Sequence, residues 1–264
     1  MENKKDEFYV GYNNNVPKQT GRLLKKTVWI FLFVIIIFVV VFSYNQNPFN
    51  NGSFELTKES KVTGVYHESP YPMLRVQLGK NTYKNILLLG FGKFGAKKYI
   101  NELEETDKDI LNKEMTIDGN LIYYNGKTLL QISDEQNIIV HKDKQGKDIP
   151  LQIVDEYTLE GEIVDPKCYF GVMKPGKGKI HRSCAVRCIS GGIPPVFAST
   201  DVNNVTSYFL ITDMDGNPVN KEVLPYVGQP ARIRGLVEKY SDSWFRIKID
   251  ANAIELLNKK STIY

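Results

Sequence analysis

The sequence predicts a mainly β chain with one transmembrane helix, its β part folded as two tandem small Greek-key barrels with one helix each. Three observations carry that prediction. A single unbroken apolar run lies near the amino terminus. Short alternating runs follow it, with turn signals about every ten residues. The second half of the chain then repeats the plan of the first, as a tandem copy does.

The apolar run, Val28 to Phe42, reads VWIFLFVIIIFVVVF, and Thr27, Ser43 and Tyr44 extend it to residues 27–44. At about 1.5 Å per residue it covers roughly 27 Å, enough for the hydrocarbon core of a bilayer. Trp29 and Tyr44 stand at its two ends, where amphipathic rings favour the interface. Lys4, Lys5, Lys18, Arg22, Lys25 and Lys26 precede it, against Lys58 and Lys61 just after. That imbalance keeps the amino terminus in the cytoplasm and sends the bulk of the chain across the membrane. FSYNQNPF offers no small-x-small cleavage site, which favours an uncleaved anchor over a signal peptide.

Residues 1–26 form a polar cytoplasmic tail, except for EFYVGY at Glu7–Tyr12. That strip suits either the headgroup layer or docking to another membrane subunit. Residues 45–53 are a short linker. The first barrel is expected over 54–145: a strand broken by Pro70 and Pro72, the run NILLLG, a helix over KKYINELEETDKDILNK, and two strands joined at Asn125-Gly126. NIIVHKD adds one more short strand. Asp118-Gly119 reads as a turn. Gly90, Gly92 and Gly95 match the GxGxxG spacing of dinucleotide loops. No alternation of strands with crossover helices surrounds them, so they are read as relieving a tight bend, and no dinucleotide is expected.

The second barrel is expected over 151–257, with 258–264 as a tail. Its parts are YTLEGEIVDPKCYFG, read as a strand, a Cys/His segment, SYFLITD, a turn at Asp215-Gly216-Asn217, PARIRGLVEKY and SWFRIKIDANAIELL. Five short strands with one helix suit a barrel of the oligonucleotide/oligosaccharide-binding (OB) type. Residues from Gly64 to Tyr71 align loosely with those from Gly161 to Tyr169.

All three cysteines fall in the segment CYFGVMKPGKGKIHRSCAVRCISGG, at Cys168, Cys184 and Cys188, with His181 between the first two. From His181 the segment has good helix formers and stops at Gly191-Gly192. On a helix, positions 181, 184 and 188 project within about 60° of one another. The loop from Cys168 is long enough to bring a third thiol opposite. Three readings of this cluster stay open. Cys168, His181, Cys184 and Cys188 can hold one zinc or copper ion, since three thiolates and an imidazole suit tetrahedral zinc or Cu(I). Cys168 can instead form a disulfide with Cys184 or Cys188, as exported domains do. Or nearby Lys174, Lys177, Lys179, Arg182 and Arg187 can favour thiolate and make a redox-active thiol. Lys177, Lys179 and Arg182 also form a weak candidate anion site, although PGKGK is no phosphate-binding loop.

The remaining chemistry is sparse. His67 and His141 are isolated and read as surface residues, and Asp213 and Asp215 sit in a plain β-turn. Without a nucleophile–base pair, no catalytic residue is expected. The net charge of +4 owes much to the tail ahead of the span, and no domain-sized basic face points to nucleic acid.

The motif Gly161-x-x-x-Asp165-x-x-Cys168, then His181-x-x-Cys184-Ala185-x-x-Cys188 and Gly191-Gly192-x-Pro194, resembles that of small exported bacterial domains. With FYVGY, SPYPMLRV and LLLGFGKFGA, the chain as a whole is similar to single-span bacterial membrane proteins carrying two OB-like domains. That resemblance implies an architecture and an envelope location. It brings no activity with it. The expected function is a membrane-anchored, non-enzymatic accessory subunit of a redox or metal-handling assembly, its partners the bilayer and other membrane subunits. A purely structural adaptor stapled by a disulfide, and a thiol oxidoreductase, are the alternatives.

Overall fold

The computed structural model describes residues 17–45, 52–106, 110–146, 148, 150–173, 175–240 and 244–257. The strip at Glu7–Tyr12, Lys4, Lys5, most of the linker and the tail over 258–264 lie outside the described residues. The chain divides into two compact units, Met1–Pro48 and Phe49–Tyr264. In the first, helix α1 runs over Lys18–Asn45, 28 residues with none buried, and is long and apolar enough to cross a membrane. It begins earlier than the apolar run because Lys18 to Lys26 hold good helix formers and no proline after Pro17.

The second unit holds two closed five-strand barrels in tandem. The first is built from β2 (Ser60–His67), β3 (Met73–Gly79), β4 (Thr82–Gly90), β5 (Lys113–Tyr124) and β6 (Lys127–Ile132). Short strands β1 (Ser53–Phe54) and β7 (Ile138–Gln145) pair with β5 outside the ring. Around the ring the order is β5-β2-β3-β4-β6, with β6 closing on β5 and β4 running parallel to β6. The second barrel uses β8 (Leu151–Val164), β9 (Val196–Thr200), β10 (Thr206–Thr212), β11 (Pro230–Tyr240) and β12 (Trp244–Lys248). Its order is β11-β8-β9-β10-β12, with β12 closing on β11, β10 parallel to β12, and β13 (Glu255–Leu256) added to β11. The two circuits are the same, which makes both barrels OB-like.

Local signals explain much of this. The β2–β3 break falls at Pro70 and Pro72, since proline cannot donate to a ladder. Asn125 and Gly126, with φ of 47° and 77°, make the tight turn that joins β5 to β6. Gly64 in β2 and Gly161 in β8 hold matching places: a Cβ on either would press on a carbonyl of the next strand, Arg75 or Ala198. Both glycines let the first strand of a barrel bend into its neighbour.

Several expectations need correction. Asp118-Gly119 is no turn; it lies inside β5, where that strand passes from pairing with β2 to pairing with β6. The strand read through Cys168 stops at Val164, and Cys168–Val172 is a π-helical turn. Helix α2 covers Lys97–Thr106, shorter than the charged run suggested, because Lys113 already belongs to β5. The helices also differ in place. Helix α2 follows the third strand of its barrel, whereas α3 (Arg182–Ser190) lies between the first and second strands of the other. His67 is not a surface residue but is 7% exposed.

Each barrel has its own apolar core, and a third cluster lies between them. There Tyr71, Met73 and Leu89 of the first barrel meet Phe170, Tyr208 and Trp244 of the second. Trp244 Nε1 donates to the Asn85 carbonyl (3.2 Å), and the Tyr71 hydroxyl donates to that of Ile211 (2.8 Å). The GxGxxG loop sits at this seam. The Gly95 amide donates to the Gly191 carbonyl at 3.0 Å. A Cβ on Gly95 would collide with the Gly192 carbonyl, and one on Gly191 with that of Lys93. These glycines serve backbone-to-backbone contact between barrels.

Candidate metal centre

Three pieces of chain bring the cysteine segment together. Asp165 follows directly on β8, and its Oδ1 accepts from the amides of Lys167 (2.9 Å) and Cys168 (3.4 Å). Pro166 follows at the first helical position, where its missing N–H costs nothing. This Asp-Pro start turns the chain into the π-helical turn, in which the Met173 amide bonds back to the Cys168 carbonyl at 3.0 Å. Cys168 therefore points from a turn rather than a strand. Lys167, 4% exposed, donates through Nζ to the carbonyls of Gly90 (2.9 Å) and Gly92 (2.8 Å), tying the turn to the first barrel.

Helix α3 supplies the other two thiols. His181 is its N-cap residue, and its carbonyl accepts from the amides of Cys184 and Ala185, each at 3.0 Å. Cys184 and Cys188, four apart, share the face that Ala185 and Ile189 help to bury. Gly191 ends the helix and Gly192 follows with φ of 98°, a conformation suited to glycine.

The sulfur atoms of Cys168, Cys184 and Cys188 all lie within 4.8 Å of one another. All three are free thiols, two buried and Cys184 half-buried. Three sulfurs at about 2.3 Å from a tetrahedral ion stand roughly 3.8 Å apart, so a small closure would seat one. A second cluster joins Asp165, Cys168 and His181 within the same 4.8 Å limit. Cys168 belongs to both. His181 thus meets Cys168 and Asp165 but is not gathered into one set with Cys184 and Cys188. Asp165 carried no site assignment in the sequence reading, yet Asp-Pro before a cysteine is a legible helix-start signal.

No protein-family model matches the chain, and no curated protein matches its sequence. The chemistry of the site is therefore read from its own residues.

A hydrogen bond with Cys188 pushes the Cys168 thiol up, with burial and the nearby Asp165 carboxylate acting the same way. This runs against activation of Cys168 by the surrounding bases. Lys177, Lys179 and Arg187 are exposed, and the Arg182 guanidinium is turned to the Pro225 carbonyl at 3.0 Å. Burial holds the His181 imidazole below its usual value, with Lys93 adding to the effect and Asp165 opposing it. The ring is therefore neutral at pH 7, the form that ligates metal. Burial likewise lowers Lys167.

The basic loop proposed for anions has a partner of its own. The Gly178 amide donates to Glu162 Oε1 at 2.5 Å, so a carboxylate of the chain already takes that N–H. Burial raises the Glu162 value.

Proposed function

We propose that this chain is a membrane-anchored metal-binding accessory subunit, with α1 as an uncleaved anchor and both barrels on the outer side of the bacterial inner membrane. The ion is a zinc or Cu(I) ion held by Cys168, Cys184 and Cys188. The convergence of three thiols from two separate elements carries this reading. Soft thiolates select zinc and Cu(I) over hard cations. The half-buried side of Cys184 leaves a coordination position reachable by water or by a donor from a partner. The site acts by holding or passing an ion within a redox or metal-handling assembly.

A thiol count on protein purified without chelator tests the site. Three thiols in the denatured protein, with metal bound before denaturation, support it. One titratable thiol would mean a disulfide, and the staple reading would replace this one. A reporter active only outside the cytoplasm, fused after Tyr264, should give signal, and one fused before Met1 should not. Reversed signals would remove the anchor topology. Partners are identified by what co-purifies from native membranes.

A further inference from the structure

Two ligand clusters meeting at one sulfur point to more than one ion. Asp165 is fully buried and His181 is 2% exposed. Asp165 spends Oδ1 on the amides of Lys167 and Cys168, while its Oδ2 has no hydrogen-bond partner among the described residues. His181 Nε2 is likewise buried without a partner. These two side chains offer ligand atoms within 4.8 Å of each other and of the Cys168 sulfur, yet they do not bond to each other. Buried polar atoms are normally paired, and a carboxylate is costly to bury otherwise. Lys167, the neighbouring ammonium, directs its Nζ to the Gly90 and Gly92 carbonyls. A cation between Asp165 and His181 would satisfy both.

We infer that Asp165, His181 and Cys168 form a second cation position, adjacent to the three-thiol position, with the Cys168 thiolate bridging two ions. The donor set of carboxylate, imidazole and thiolate suits a divalent ion of the zinc type rather than Cu(I). Three thiolates and one carboxylate carry four negative charges, which two divalent ions balance. The inference rests on metal binding at the thiols, and its test separates the two.

Full-length protein in detergent is stripped, reloaded with excess Zn²⁺, freed of loose metal, and analysed for zinc per chain and for thiols protected from alkylation. Wild type should hold two equivalents with three thiols protected. Asp165→Asn keeps the size of the side chain and its capping ability. It should retain one equivalent, with all three thiols still protected. His181→Gln should behave the same way, and it carries the test if circular dichroism shows Asp165→Asn misfolded. One equivalent in wild type with three thiols protected overturns the second position and leaves the single-ion reading standing. No zinc in wild type overturns both. A folded Asp165→Asn or His181→Gln protein that still holds two ions, or loses both, also overturns the inference.

Discussion

His67 offers a direct test of how burial shapes this protein. It closes β2 opposite Met73 and is 7% exposed, with no hydrogen-bond partner for Nε2 among the described residues. Burial lowers its value from 6.5 to about 4, with Arg75 acting the same way and Asp148 and Asn112 opposing. The folded value is depressed, so below pH 6.5 the unfolded chain takes up a proton that the folded chain refuses. The contribution is complete above pH 6.5 and is lost as pH falls toward 4. At about 1.36 kcal/mol per pH unit, the gap of roughly 2.5 units gives ~3 kcal/mol lost by pH 4. That is a large share of the ~5–15 kcal/mol that stabilises a typical domain. The assay is urea unfolding of the full chain in detergent, in a Trp29→Phe background so that buried Trp244 alone reports. Carboxylates also titrate in this window, so wild type is compared with His67→Gln. The wild-type curve should fall by about 3 kcal/mol more than the variant's between pH 7 and pH 4. Parallel curves would refute the claim that the folded barrel excludes the imidazolium.

Gly95→Ala should destabilise the protein by about 1–3 kcal/mol, because backbone on both sides of the seam must move. Gly92→Ala, with open space around it but φ of 66°, should cost only about 1 kcal/mol in the same urea assay. Arg246 and Glu238 form a buried ion pair in the second barrel, so Arg246→Met should cost up to roughly 3–5 kcal/mol, less to the extent that Lys248, 3.7 Å from the Glu238 carboxylate, keeps it paired. Glu238→Gln combined with Arg246→Met should recover part of that loss. Zinc retention should weaken as pH falls from 8 to 5, by about tenfold per pH unit for each thiol that must release a proton. A competition titration against a chromophoric chelator at several pH values would show it.

The sequence was most legible where a feature is set by neighbours along the chain. The apolar run of α1, the Asn125-Gly126 turn, the prolines between β2 and β3, and the Gly191 stop are all of this kind. Reading failed where distant chain decides. Asp118-Gly119 looks like a turn in isolation, but β5 must pair on both sides there, and the ladder overrides the dipeptide. Strand β9 begins directly after Pro194-Pro195, and its continuity is set by β8 and β10 on either side. The site divides in the same way. Helical spacing put Cys184 and Cys188 on one face, whereas the companionship of His181 with Asp165 depends on where β8 delivers the residue that follows it. Lys167 is the clearest miss. Nothing near it in sequence announces that its ammonium will be buried against the carbonyls of a loop 75 and 77 residues earlier.

The apolar cluster between the barrels bears on how this chain can be divided or inherited. Cys168 and Cys188 belong to that cluster, along with Phe170, Tyr208 and Trp244. A second barrel severed from the first would present those rings to water, and its metal-binding turn would lose the carbonyls that hold Lys167. Neither half is a free-standing module to be shuffled into another gene. A cut between Gln145 and Leu151 should instead yield two fragments that stay folded only together, and whose association restores the geometry of the cysteines.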